Sequence, residues 1–250
     1  MRERQSVFEA SPRRVRVYFN RQLIGDSKAM MVFHEAGRLP IYYFPKEDVC
    51  MKYLQPSGAT SNPQPKGQGV YWHIQVGEKH AENAAFTFRN PPSGEPNLQG
   101  YIAFQWDQMD AWFEEDEEVF VHARDPYTRV DVLNSSRYVK IVVDDVLVAE
   151  TRRPRLLFET GLPTRYYIPA QDTRMELLEQ STTVTHCPYK GEAHYYSVRA
   201  GEALHKDLVW YYRYPIPECP KIEGLLCFFN ERVDIYEDGA LLTRPKSPWS

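Results

Sequence analysis

No stretch of this chain approaches the roughly 18 consecutive apolar residues of a membrane-spanning helix, and no apolar segment follows the charged start Met1-Arg-Glu-Arg-Gln5 to act as a signal peptide. The expected compartment is therefore the cytoplasm, with no membrane partner. Cysteine is scarce: Cys50, Cys187, Cys219 and Cys227 are too few and too unevenly spaced for a disulfide framework, and none forms a C-x-x-C pair. Reduced thiols follow. Net charge is small, 30 basic against 34 acidic residues, whereas a nucleic-acid binder ordinarily carries a basic face; the acidic run Glu114–Glu118 would repel phosphates. No nucleic-acid partner is expected. Gly-rich phosphate loops, dinucleotide fingerprints and haem-attachment motifs are also missing, so no cofactor is expected and redox and phosphoryl chemistry are disfavoured.

Aromatic residues and proline are abundant instead, with 17 Tyr, 12 Phe, 5 Trp and 19 Pro, a mixture that favours short strands and many turns. The sequence also repeats. At a constant offset of 124, without gaps, Arg13 falls on Arg137, Glu35 on Glu159, Tyr43 on Tyr167, Asp48 on Asp172, Lys66-Gly67 on Lys190-Gly191, Tyr71 on Tyr195, Arg89 on Arg213 and Phe104 on Phe228. Such a period is too long for a solenoid, so each copy is expected to be a compact domain, residues 11–122 and 137–245, joined by a linker over 123–136. Within each copy, Arg14–Phe19 and Tyr138–Val143 read as first strands of hairpins, with polar turns after them. Tyr42-Tyr-Phe-Pro45 and Tyr166-Tyr-Ile-Pro169 read as strands ended by proline. Residues 46–54 and 170–178 carry apolar residues at helical spacing. Four further strands are expected over 193–199, 208–214, 224–229 and 233–236. The fold class is thus mainly β with one short helix per domain.

The second copy carries His186-Cys-Pro-Tyr-Lys-Gly191, Tyr195-Tyr-Ser-Val198, Glu218-Cys-Pro-Lys-Ile222 and Phe229-Asn-Glu-Arg-Val-Asp234, downstream of Tyr166-Tyr-Ile-Pro169. This string resembles the domain of unknown function 427 family (DUF427), and the first copy resembles it through the repeat. The resemblance implies two tandem tent-like β domains, in which two sheets joined at one edge splay over a pocket. A nucleotidyltransferase label attached to the family finds no support in the residues, since no Gly-Ser followed by spaced aspartates is present to hold two metal ions.

The copies differ most where the motif is strongest. His186-Cys187-Pro188-Tyr189 is replaced by Asn62-Pro63-Gln64-Pro65, while the following Lys-Gly persists. Several functional side-chain types in one loop point to a site; a proline-bent loop packed on a sheet is the plainer reading. Lys190 would hold an anion or act as a base if burial lowered its pKa, or would simply cover an aromatic surface. Glu192 lies on the face of Lys190 if the segment is extended, as an acid–base couple or a solvated pair. Asn230-Glu231 provides a carboxylate whose pKa aromatic neighbours would raise, or else closes a tight turn. Arg213 is an anion clamp or a cation–π brace. A zinc site from His186, Cys187, Cys219 and Cys227 is disfavoured, because adjacent His and Cys do not converge on one ion; a Cys187 nucleophile with His186 as base is weak because neighbours in an extended segment point to opposite faces, and His194 or His205 would have to serve instead. His73 of the first copy is a candidate for a second pocket.

The leading expectation is a cofactor-free small-molecule enzyme, of hydrolytic or proton-transfer type, or a ligand-binding protein, using an aromatic pocket in the second domain. His186, Tyr189, Lys190 and Glu231 are the candidate catalytic residues. Tyr167, Cys187, Glu192, Trp210, Arg213 and Asn230 would line the substrate site. The alternative is a non-catalytic interaction module whose aromatic cage captures a peptide or a modified side chain.

Overall fold

A computed structural model describes residues 6–35, 37–61 and 66–247, and its chain divides into two units, Met1–Asp125 and Pro126–Ser250. Unit 1 runs through β1 (Val7–Ala10), β2 (Val15–Phe19), β3 (Gln22–Ser27), β4 (Met31–His34), β5 (Ile41–Pro45), β6 (Leu54–Thr60), β7 (Gln68–Val76), β8 (Lys79–Arg89), β9 (Tyr101–Phe104), β10 (Ala111–Glu114) and β11 (Glu117–Glu118). Unit 2 repeats the order with β12 (Val130–Asn134), β13 (Val139–Val143), β14 (Val146–Thr151), β15 (Arg155–Glu159), β16 (Arg165–Ile168), β17 (Leu178–Cys187), β18 (Gly191–Ala200), β19 (Ala203–Pro215), β20 (Leu226–Phe228), β21 (Asp234–Glu237) and β22 (Ala240–Leu241). Each unit holds a large and a small sheet. The large sheets run β1-β4-β5-β9-β8-β7-β6 and β12-β15-β16-β20-β19-β18-β17; the small ones run β11-β10-β2-β3 and β14-β13-β21-β22. Strand for strand the two units share one topology, as the constant offset requires. The expected linker over 123–136 contains β12, which pairs with β15 as an edge strand of unit 2.

Local chemistry accounts for the hairpins. Asn20-Arg21 and Asp144-Asp145, the two-residue turns of β2–β3 and β13–β14, all have positive φ, between 45° and 61°. That geometry matches the twist of the flanking strands, and Asn and Asp tolerate it better than most residues. The helical segment of each unit consists of two successive 3-10 turns, Lys46–Asp48 with Met51–Tyr53 and Ala170–Asp172 with Met175–Leu177. Val49 and Thr173 interrupt them by extending and bridging to Gly25 and Ala149. A single helical turn gains little by itself, so contact with the sheet prevails.

Two buried layers form in each unit. Val15, Val17, Tyr42, Phe44 and Trp112 pack between the sheets of unit 1, as Val139, Ile141, Tyr166, Ile168 and Ile235 do in unit 2. The second face of each large sheet is covered as well, by Phe33, Tyr43, Phe86, Phe88 and Leu98 in unit 1 and by Leu157, Tyr167, Trp210, Tyr212, Cys219 and Ile222 in unit 2. Burial on both faces explains why the Tyr-Tyr strands read as continuous apolar runs instead of alternating ones. Among the described residues no helix is long and apolar enough to cross a membrane.

Candidate functional site

Alternation along β16 sends Tyr166 and Ile168 into the inter-sheet core and Tyr167 to the second face, with Arg165 on the same side. The Tyr167 hydroxyl is fully buried and accepts a hydrogen bond from the Trp210 indole N–H at 3.1 Å. Arg165 grips both carboxylate oxygens of Glu231 at 2.8 Å, donates to the Asn230 side-chain oxygen at 3.3 Å, and lies 5.3 Å from the Trp210 ring centroid. Asn230 in turn donates to the Thr164 carbonyl at 2.9 Å, and Ser247 donates to Glu231. Burial alone would raise the Glu231 carboxyl; the hydrogen bonds from Arg165 and Ser247 overcome it and hold the group at about 2. The raised pKa expected from its aromatic neighbours is therefore reversed. Glu231 is an ionised partner of Arg165, and Asn230 ties that pair to the loop before β16.

Cys187-Pro-Tyr-Lys190 forms a reverse turn with Pro188 at its second position and the Lys190 N–H bonded to the Cys187 carbonyl at 3.3 Å. Gly191 then takes a φ of 105°, which L side chains rarely adopt, so Lys-Gly persists in both copies for a backbone reason. The turn directs the Lys190 side chain inward to the carboxylate of Glu159 at the end of β15, and both side chains are nearly buried, 12% and 8% exposed. Burial lowers the Lys190 pKa, but facing Cys187 and Glu159 raise it further, so the net shift is upward. Lys190 remains an ammonium, not the base that desolvation alone would make of it. Cys187 is half-buried beside it. The buried Cys219 thiol donates to the Tyr189 carbonyl at 3.4 Å, and burial pushes it up to about 11; Cys227 is pushed up more strongly.

The expected site residues divide between the two faces of the sheet. Cys187, Lys190, Tyr167 and Trp210 gather on the second face with the Arg165–Glu231 pair. Glu192 instead pairs across the β17–β18 hairpin with His186 at 3.2 Å and along its own strand with His194 at 3.1 Å. Lys190 lies in the turn rather than in the strand, so the assumption that it shares a face with Glu192 fails. Arg213 rests 6.0 Å from the Tyr211 ring and donates to its hydroxyl at 3.3 Å, the cation–π brace of the two readings. His186 and Cys187, adjacent in an extended strand, point to opposite faces, and among the described residues no group of three or more His, Cys, Asp or Glu is arranged to hold a metal ion. Two surface clefts, of about 160 and 370 Å³, lie elsewhere in unit 2; of the expected site residues only Asn230 lines either.

Sequence reasoning missed Glu159, Arg165 and Ser247, and weighed Cys219 only as a metal ligand. Glu159 was matched to Glu35 by the offset, which was the available signal. In unit 1 the equivalent pair is kept, Lys66 to Glu35 at 2.7 Å, with the Lys66 ammonium 4.9 Å from the Phe33 and 5.7 Å from the Phe88 ring centroids. The replacement residues Asn62–Pro65 lie outside the described residues. Tyr43 and Tyr71 complete a set of four that both units share: Tyr43, Glu35, Lys66 and Tyr71 against Tyr167, Glu159, Lys190 and Tyr195. His73 lies apart from it, accepting from the Asn83 N–H at 3.3 Å.

One difference within this set is directly testable. Phe86 replaces Trp210, and the fully buried Tyr43 hydroxyl has no hydrogen-bond partner among the described residues. Tyr167→Phe is expected to destabilise the protein by about 1–3 kcal/mol by stranding the indole N–H, whereas Tyr43→Phe is expected to be neutral or slightly stabilising. Urea unfolding of the two variants measures the contrast; equal losses would show that the two hydroxyls are equivalent.

Sequence comparison matches residues 7–115 and, separately, residues 131–239 to the family described as a domain of unknown function (DUF427). No curated protein matches the sequence.

Proposed function

The chain belongs to the domain-of-unknown-function 427 family in both of its halves, and from that premise we propose that its second unit is a cofactor-free hydrolytic enzyme acting on a small organic ester or thioester. One observation carries the reading: the half-buried Cys187 faces a Lys190 ammonium that the buried Glu159 carboxylate holds in place. The Cys187 sulfur attacks the acyl carbon, the carbonyl electrons move onto oxygen, and the nearby ammonium stabilises that negative charge. Collapse of the intermediate expels the alcohol or thiol, which takes up the proton that the Cys187 thiol gave up on attack. Water then cleaves the thioester to release a carboxylic acid and restore the thiol. Tyr167 and Trp210, both buried, form the aromatic backing of this face, and Arg165 with Glu231 and Asn230 braces it. Proton abstraction by Lys190 or Glu231 is less well supported, because Lys190 stays protonated and Glu231, held at about 2 by its pairing with Arg165, is a weak base. Four free thiols and a net charge of −4 suit a cytoplasmic protein without a nucleic-acid partner.

Incubation with p-nitrophenyl acetate and peptide mass analysis tests this reading. The expected result is release of p-nitrophenol with an acetyl adduct confined to Cys187, both lost in Cys187→Ala. Cys50, the other half-buried thiol, is the internal control. Undiminished turnover in Cys187→Ala, or no turnover of any activated ester or thioester by the intact protein, would exclude the mechanism.

A further inference from the structure

The smaller of the two surface clefts of unit 2, about 160 Å³, has apolar walls from Pro163, Tyr166, Val233, Ile235, Leu242 and Pro245, with Asn230 beside them. Hydrogen bonds fix which residues of unit 1 correspond to these. The Phe229 N–H donates to the Leu208 carbonyl as that of Gln105 does to Ala84, so Asn230 stands where unit 1 has Trp106. Ile141 pairs with Ile235 as its match Val17 pairs with Trp112, and the Leu242 N–H reaches the Ile235 carbonyl as that of Val119 reaches Trp112. Ile235 therefore takes the place of Trp112. In unit 1 the two indoles stack, with 4.5 Å between centroids and 4° between planes, and each lies 6.1 Å from the ring of Tyr42, the counterpart of Tyr166. Unit 2 keeps the tyrosine and loses both indoles.

We propose that this cleft is a ligand site for a flat aromatic molecule of one or two fused rings, which takes the place of the missing indoles. An apolar cavity of about 150 Å³ is large enough to hold benzene, so a cleft of about 160 Å³ admits one such ring and, being open on one side, leaves room for a second. The walls are held before a ligand arrives, which lowers the cost of binding. Tyr166 donates its hydroxyl to Glu237 at 2.8 Å, and Arg137 holds that carboxylate at 3.0 Å. The chain after β22 forms another wall and is clasped twice: Arg244 donates to Asp234 from two nitrogens at 3.1 and 2.8 Å, and Ser247 donates to Glu231. Asn230, smaller than an indole, spends its amide on the Thr164 carbonyl and Arg165. This site shares no reacting group with Cys187, and its ligand need not be the substrate there.

Titration of the methyl-labelled protein with indole, followed by NMR, tests the proposal. Indole is expected to move the methyl signals of Val233, Ile235 and Leu242 saturably, with a Kd of about 1 mM or lower, and to leave those of Val17 and Ile74 in unit 1 in place. Cyclohexanol, whose ring is puckered, should bind at least about tenfold more weakly. Two variants fill the cleft: Ile235→Trp restores the residue of unit 1, and Thr243→Trp adds a ring from an exposed position with less disturbance to the core. Each should weaken indole binding at least about tenfold, and the methyl spectrum shows whether each is folded. Cys187→Ala should bind indole as the intact protein does, so failure of the hydrolytic reading and failure of this one are distinguishable. Residues 248–250 follow the clasped wall and lie outside the described residues; Trp249→Ala should also leave binding unchanged. No saturable shift of those three methyl groups in the intact protein, equal binding of cyclohexanol, or undiminished binding in every folded filling variant would overturn the proposal. Binding confined to Trp249→Ala would assign the cleft to the chain's own indole and overturn it as well.

Discussion

Lys190→Met is expected to lower the stability of the protein by about 3–5 kcal/mol, because it leaves the Glu159 carboxylate buried without its counter-charge. The loss comes from the stranded partner more than from the missing attraction. Lys190→Met combined with Glu159→Leu should therefore recover most of it, since a buried ion pair replaced by well-packed apolar side chains is commonly near neutral. The same experiment in unit 1 should show a smaller loss for Lys66→Met. Glu35 is 22% exposed against 8% for Glu159 and keeps Arg38 as a second partner at 3.2 Å, so the carboxylate is left better solvated and still paired. Urea unfolding of the single and double variants gives the comparison. A Lys190→Met loss below about 1 kcal/mol would mean that Glu159 is as hydrated as a surface carboxylate.

That pair marks how far the sequence could be read. Survival of Lys66 beside an otherwise rewritten loop singled out Lys190, and the offset aligned Glu35 with Glu159, yet nothing local joins residues 159 and 190. Glu159 ends β15 and Lys190 ends the turn between β17 and β18, and they meet only through the order of the large sheet. Strand periodicity and turn chemistry recovered the hairpins and the later strands, since those depend on neighbours in sequence. The same reasoning grouped Glu192 with Lys190 and failed, because the turn that ends at Lys190 breaks the alternation on which it relied. Arg165 left a faint trace: a charged residue directly before the apolar run Tyr166-Tyr-Ile168, where the first copy has Ile41. Its meaning depends on Glu231, which arrives on a loop after β20 and is far away in sequence.

Arg165→Met is expected to cost a similar amount near neutral pH, about 3–5 kcal/mol, by leaving a carboxylate with a completely buried side chain unpaired. Its pH dependence separates it from a loss of packing. In the intact protein the Glu231 carboxyl is held at about 2, below the ordinary value of about 4.3 that it regains on unfolding. A depressed carboxyl contributes stability that is fully present above its unfolded pKa and is lost as the pH falls from about 4.5 towards 2. Without Arg165, burial is opposed only by the Ser247 and backbone hydrogen bonds and the carboxyl rises, so the variant bears its largest penalty near neutrality and is relieved once acid neutralises the group. The stability gap between the intact protein and Arg165→Met should therefore narrow on going from about pH 7 to about pH 4, while each protein separately responds to the titration of its other carboxylates. Taking the difference cancels those common contributions. Urea unfolding of both proteins at the two pH values measures it; an unchanged gap would assign the loss to the packing of Arg165 against Trp210 instead of to the stranded charge.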